Sequence, residues 1–182
     1  MTDLYYDTLH FSDTELYFAA TKTGLFYVGT KAEKIQSAKR SPEKMNMYKE
    51  ELVAYLNGEL TYFTVPMDLS ATPLQLEVFH ALEAIPYGET RTYTEIAAQI
   101  NRPKAVRAVG TAIGRNPLLF IIPCHRVIGK NGKLTGYSGG IGMKESLLKL
   151  EKDKNKSIFF LKRELIYFFI YCTIVTSTIS SL

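Results

Sequence analysis

The chain opens with apolar and polar residues in short alternation. Residues 4–11, 16–21 and 25–30 are rich in Tyr, Phe and Val, with turn residues between them. That pattern predicts antiparallel strands. Lys22-Thr23-Gly24 supplies a glycine for one hairpin turn. The period then changes. Ser41-Pro42-Glu43 opens a helix, with serine at the N-cap, proline in the first turn and glutamate near the positive end. Tyr48, Leu52, Tyr55 and Leu56 give this helix an apolar face, and Gly58 is placed to end it. Residues 62–65 predict one more strand, so residues 1–66 read as a small α+β unit.

After a short connector the pattern turns helical. Thr72-Pro73 repeats the cap-plus-proline start, and Leu76, Phe79, Leu82 and Ile85 mark one helix face. Pro86-Tyr87-Gly88 stops it. Thr92-Tyr93-Thr94-Glu95 has the spacing of a capping box, and the helix continues through Ile100. Asn101-Arg102 predicts a tight turn, and Pro103 starts another helix running from Lys104 to about Gly114. Two helices joined so closely are the pattern of a helix-turn-helix. The second is thin, with Ala105, Ala108, Gly110, Thr111, Ala112 and Gly114. Small residues let another backbone approach, so this face suits either a partner helix or a nucleic-acid groove. Lys104 and Arg107 tilt the choice toward phosphates. Residues 118–122 are a continuous apolar run, expected to be buried. A turn at Lys130-Asn131-Gly132-Lys133, a loop at Gly136-Tyr137-Ser138-Gly139-Gly140 and a helix over 144–151 follow.

Composition narrows the class. The chain has 182 residues, 46% apolar and 22% charged, which argues against a disordered chain, a fibre or a multi-pass membrane protein. Two cysteines (Cys124, Cys172) and three histidines (His10, His80, His125) are too few for a disulfide framework or a zinc finger. No basic-then-apolar leader opens the chain, so a reducing cytoplasm is the expected compartment. The formal charge of +4 is unevenly spread. Residues 1–72 carry 7 basic and 10 acidic groups, whereas residues 73–151 carry 10 and 6, so a polyanion would meet the second unit. Residues 165–182 carry no charge, at the lower length limit for a membrane span. Thr and Ser crowd the end of that stretch and weaken the membrane reading. An unusual extension or an altered reading frame explains it as well.

The chemistry centres on Pro123-Cys124-His125-Arg126-Val127. A lone cysteine after an apolar run is most often a small core residue. Here Pro123 stiffens the backbone, and His125 and Arg126 are cationic neighbours expected to favour the thiolate, which is the nucleophile. In an extended segment His125 would point away from Cys124, so a useful pair needs a turn or a bridging water. Glu151 is a candidate to orient the histidine.

That pentapeptide resembles the active-site signature of the O6-alkylguanine-DNA alkyltransferases, the methylated-DNA–protein-cysteine methyltransferases. The run Arg102-Pro103-Lys104-Ala105-Val106-Arg107-Ala108-Val109-Gly110, then Arg115-Asn116-Pro117, is similar to the family in order and spacing. So are Ile121-Ile122 before the pentapeptide, Tyr137-Ser138-Gly139-Gly140 and Lys144-Glu145 through Glu151. The likeness covers about residues 73–151, is weak over 1–70 and is absent over 153–182. It implies an α+β fold: a small ribonuclease H-like N-terminal domain (1–70), then a mostly helical winged helix-turn-helix domain for DNA binding and alkyl transfer (71–152). An atypical hydrophobic tail (153–182) follows.

The resemblance also implies roles. Cys124 accepts the alkyl group from guanine O6 by in-line displacement, irreversibly, so each molecule acts once. His125 takes the thiol proton through a water, Glu151 holds His125, and Asn116 braces the active-site segment. Tyr93 lies beside the flipped nucleotide, Arg107 fills the gap left in the stack, and Lys104 meets phosphate. The backbone of Ser138 donates to O6, the carbonyls of Cys124 and Val127 accept from the exocyclic amine, and Tyr137 shapes the pocket wall. The partner is double-stranded DNA, met in the minor groove by a monomer with no obligate protein partner, cofactor or structural zinc. Acceptance of O4-alkylthymine stays open. Three other classes are weighed against this one. A lesion binder of the alkyltransferase-like kind lacks the acceptor cysteine. A cysteine hydrolase separates its Cys and His and would leave the helix-turn-helix idle. A transcription factor would need a sensing motif that the N-terminal unit does not carry.

Overall fold

The computed structural model describes residues 3–154. The tail assigned to 153–182 lies outside the described residues from 155 onward. Three antiparallel strands form first, β1 (Tyr5–Phe11), β2 (Thr14–Ala20) and β3 (Leu25–Gly29). The short β4 (Lys39–Arg40) pairs parallel to β1, giving the sheet order β3-β2-β1-β4. Registers run Tyr5↔Ala20 through Phe11↔Thr14, which turns Leu16 and Phe18 inward with no exposure. Gly24 serves the first sheet through close approach: a Cβ there would sit 2.5 Å from the carbonyl oxygen of Pro66.

Helix α1 (Pro42–Leu56) packs on β1. Met45, Tyr48, Leu52 and Tyr55 are its buried stripe, spaced by the helical repeat. Ser41 occupies the N-cap position, but its hydroxyl makes no capping bond; Pro42 alone supplies the start. Gly58, at φ +72°, closes the far end by donating to the Tyr55 carbonyl at 2.8 Å.

The strand predicted over 62–65 does not form. The reason is Glu51. Its carboxylate accepts from the N–H of Thr64 (2.7 Å), the N–H of Val65 (3.2 Å) and the Thr64 hydroxyl, taking the groups a ladder would need. From this stretch of the chain, Met67 makes an isolated bridge to Leu25 of β3.

The second unit begins with α2 (Pro73–Glu83), opened by a full capping box between Thr72 and Gln75. A two-residue strand β5 (Arg91–Thr92) leads into α3 (Tyr93–Gln99), capped reciprocally by Thr92 and Glu95 as the sequence predicts. Asn101, at φ +58°, reverses the chain. Arg102 N–H to Ala97 O and Asn101 N–H to Ala98 O complete a Schellman stop. The next helix, α4, spans Val106–Gly114, two residues shorter at its start than predicted. Ala105, at φ −96° and ψ 22°, leaves helical geometry, and its N–H closes a separate turn on Arg102. Lys104 therefore lies in that turn, ahead of the helix. Strand β6 (Val127–Ile128) pairs parallel to β5, and residues 141–154 form α5.

One hydrophobic cluster runs through both units, from Leu16, Phe18 and Leu52 to Phe79, Ile96, Val109 and Leu147. The apolar run after α4 joins them. Val28 N–H donates to Pro117 O (2.8 Å) and Leu119 N–H to Val28 O (3.0 Å), so 117–119 docks along β3. Among the described residues no helix is long and apolar enough to cross a membrane.

Candidate active site

The segment after α4 is buried but follows no regular ladder, so its polar groups need side-chain partners. Asn116 supplies them. Its Oδ1 accepts from Leu118 N–H (2.9 Å), and its Nδ2 faces Leu118 O (3.2 Å), Ile122 O (2.8 Å) and Cys124 Sγ (3.0 Å). Two amide hydrogens are shared among three acceptors. Asn116 thus folds the loop and aims a donor at sulfur.

Cys124, His125 and Arg126 form one 3₁₀ turn, closed by Val127 N–H on the Cys124 carbonyl. Cys124 is 4% exposed and His125 fully buried. The expected thiolate is corrected here. Burial pushes the Cys124 thiol up to about 11, against the smaller effects of the Asn116 N–H and the Lys144 charge. At pH 7 the resting thiol is therefore protonated. Arg126 does not serve the sulfur, because its guanidinium is spent elsewhere.

That guanidinium goes to Glu151, on α5. Arg126 Nε lies 3.1 and 3.0 Å from the two carboxylate oxygens and Nη2 lies 2.9 Å from Oε1, while Nη1 donates to Ile85 O at 2.6 Å. Gly88 N–H donates to Oε2 at 2.9 Å, and His125 Nε2 lies 2.8 Å from Oε1. The Tyr55 hydroxyl, from α1, donates to the same Oε1 at 2.5 Å. Burial alone would raise this carboxyl, but the bonds and charges of His125 and Arg126 hold it at about 2. Glu151 is therefore a fixed anion. Burial pushes the His125 imidazolium down, and Glu151 opposes that only in part, so the ring is neutral near pH 7. An ionised carboxylate accepts, so Nε2 carries the hydrogen. Nδ1 is buried with no protein partner, leaving a basic lone pair inside the site.

The other sequence-predicted residues surround this centre. Val127 follows the turn in β6. Its carbonyl accepts from Lys144 Nζ at 2.6 Å, and the same ammonium donates to Thr135 O at 3.0 Å. The Tyr93 hydroxyl also faces Thr135 O, at 3.4 Å. Tyr137 presents its ring to His125 at 6.5 Å, nearly edge-on. Its hydroxyl is buried without a partner, and burial followed by the charges of Cys124 and Glu151 keeps it protonated. Ser138 is exposed and its hydroxyl donates to Gly114 O at 3.1 Å, tying the loop to the end of α4. Gly139 leaves room for its neighbours: a Cβ there would lie 2.5 Å from Met143 Sδ and 2.9 Å from the Tyr137 ring, so those side chains would have to shift. Arg107 and Lys104 do not enter the centre. Arg107 stands on an exposed face of α4 with Ala108, Thr111, Gly114 and Arg115, while Val109, Ala112 and Ile113 are buried.

Three participants escape a reading of the sequence. Tyr55 and Lys144 sit on otherwise apolar helix faces, and periodicity reports only their stems. The one available signal for Tyr55 is that a buried hydroxyl needs a partner. Gly88 acts through its backbone alone. Beside the site a cleft of about 470 Å³ touches Asn116 and Ser138 and carries Lys31, Lys34 and Arg115.

Fold and site define the class: a buried cysteine thiol beside a His–Glu pair, on a mixed α/β scaffold that exposes one helix of small residues. Comparison with known proteins makes this specific. Residues 73–153 match the family described as 6-O-methylguanine DNA methyltransferase, DNA binding domain. The chain is 48% identical over 162 residues to the inducible methylated-DNA–protein-cysteine methyltransferase of Bacillus subtilis, covering 82% of this chain and 90% of that one. It is 46% identical over 153 residues to the Methanosarcina acetivorans protein of the same name, covering 81% and 98%. Among solved structures, Mycobacterium tuberculosis O6-methylguanine methyltransferase aligns at 44% identity with a TM-score of 0.77, covering 83% of this chain and 94% of that one. The M. tuberculosis OGT in complex with DNA aligns at 45% and 0.77, covering 82% and 94%. The chain belongs to the methylated-DNA–protein-cysteine methyltransferase family.

Proposed function

We propose that Cys124 is the acceptor in the repair of O6-alkylguanine in DNA, with His125, Glu151 and Asn116 as its machinery. The family is one of DNA repair proteins that move an alkyl group from DNA irreversibly onto their own cysteine, one turnover per molecule. The observation that carries the assignment to Cys124 is the pairing of two groups in one buried site. The Asn116 donor lies 3.0 Å from Sγ, and His125 Nδ1 is unengaged while Nε2 is held by Glu151.

The step balances without a cofactor. The Cys124 proton passes through a water to His125 Nδ1. The sulfur lone pair attacks the alkyl carbon as the carbon–O6 bond breaks, and the electron pair leaves with guanine. Guanine then takes up a proton, and the S–C bond remains. Because the resting thiol is protonated, the base must act during the attack. The backbone N–H of Ser138 faces the developing charge on O6, and the carbonyls of Cys124 and Val127 read the exocyclic amine. Tyr93 and Tyr137 flank the base.

An alkyl group on O6 is inaccessible inside the stack, so the nucleotide leaves the duplex first. The exposed small face of α4 suits close approach in the minor groove, with Arg107 entering the stack and Lys104 on phosphate. We read residues 1–70 as a ribonuclease H-like domain and 71–152 as a winged helix-turn-helix domain. The protein acts as a cytoplasmic monomer, and neither a cofactor nor a metal enters the reaction. Cys124→Ser is expected to abolish methyl transfer from O6-methylguanine while duplex affinity, measured by fluorescence anisotropy, changes less than about threefold, a surface-scale effect. Transfer retained by that variant contradicts the assignment.

A further inference from the structure

The N-terminal unit contributes one side chain to the catalytic network, and its geometry is more than packing. Tyr55 is fully buried in α1, stacked on Phe120 at 5.6 Å between ring centroids and tilted against Phe63 at 4.9 Å. Its hydroxyl donates to Glu151 Oε1 at 2.5 Å, the oxygen that receives His125 Nε2–H at 2.8 Å. The Tyr55 oxygen also lies 3.3 Å from Nε2. Its own hydrogen is committed to Glu151, so toward Nε2 it offers a lone pair. Both oxygens facing Nε2 are therefore acceptors, which excludes the tautomer with the hydrogen on Nδ1.

We propose that Tyr55 is a positioning residue for the alkyl-transfer reaction: it locks His125 with Nδ1 free and sets the basicity of the ring by sharing the Glu151 charge. This rests on the reading of His125 as the base. Five titratable or charged groups surround the imidazole: Glu151 and Lys144 from α5, Arg126 from its own turn, Tyr137 from the 136–140 loop and Tyr55 from α1. Of these, Tyr55 is the one that the N-terminal unit provides. A donor on Glu151 Oε1 withdraws negative charge from Nε2–H. Without it the carboxylate holds the imidazolium more strongly, so His125 protonates at higher pH and is lost as a base sooner on acidification.

The test is Tyr55→Phe, which keeps the stacked ring and removes only the oxygen. Histidine ¹⁵N NMR on the full chain, without DNA, reads the tautomer and titration of His125 directly. His10 and His80 are exposed and serve as internal references. In the parent protein His125 is expected as the Nε2–H tautomer. In Tyr55→Phe its midpoint is expected to rise. Compared with the parent, the variant's methyl transfer at pH 6 is expected to fall about tenfold or more relative to pH 8.5, the scale of one lost hydrogen bond to a charge. A parent protein with the hydrogen on Nδ1, or an unchanged His125 midpoint in folded Tyr55→Phe, overturns the proposal. The NMR readings need no alkyl transfer, so failure of the repair reading would leave them to decide this point alone.

Discussion

Glu151 is wholly buried, ionised and ringed by donors from Tyr55, Gly88, His125 and Arg126. A charge so placed makes folding depend on pH. The carboxyl is held at about 2 against an ordinary 4.5, so its stabilising share is present above 4.5 and is lost as pH falls toward 2. His125 is also lowered from 6.5, so the unfolded chain binds its proton first and stability starts to fall below 6.5. Cys124 is raised from 9.0 to about 11, so its share is present below 9 and is lost as pH rises through 11. Thermal melts are therefore expected to plateau between pH 7 and 9 and to fall on both sides. Cys124→Ala should flatten the start of the alkaline limb. An alkaline limb unchanged in Cys124→Ala contradicts the buried-thiol account. The sequence singles out Cys124, His125 and Glu151 by residue type and neighbours, and Asn116 through the family resemblance; the structure gathers these four around one buried centre. The protonation of the thiol is not legible. Adjacency suggests cations beside sulfur, whereas the fold sends Arg126 to Glu151 and buries the thiol.

The elements show why some boundaries follow from sequence and others do not. Capping boxes at Thr72 and Thr92 mark helix starts through local contacts alone, and both helices begin there. The 62–65 strand fails for a tertiary reason, since Glu51 from the preceding helix captures the N–H groups of Thr64 and Val65. Local β-propensity cannot register a carboxylate thirteen residues away. Helix α4 illustrates the reverse. Its small residues are visible in the sequence, but whether they meet a partner helix or a groove is a matter of facing. The structure puts Val109, Ala112 and Ile113 inward and leaves Arg107, Ala108, Thr111 and Gly114 exposed. Thr111→Phe is expected to leave the melting temperature nearly unchanged and to weaken duplex binding about tenfold by blocking close approach, a loss of about 1.4 kcal/mol. Unchanged affinity in electrophoretic or anisotropy titrations contradicts the use of this face.

At the scale of the whole molecule, two units with opposite charge balance share one core. A switch of period near residue 70 and an acidic-to-basic shift mark the two stretches in the sequence. Their joining is not legible there, because it depends on β3 accepting residues 117–119 and on Tyr55 crossing to Glu151. Both contacts link positions far apart in the chain, which no local pattern encodes. Through Tyr55 the first stretch thus touches the proposed reacting centre at Glu151. On the proposed function, the molecule as a whole is consumed by one transfer to Cys124. The direct test is intact-protein and peptide mass spectrometry after mixing with an excess of duplex bearing one O6-methylguanine. The account predicts one added methyl per protein, on the peptide containing Cys124, with no second addition. A duplex left methylated by folded protein, or a methyl group on any other residue, contradicts it.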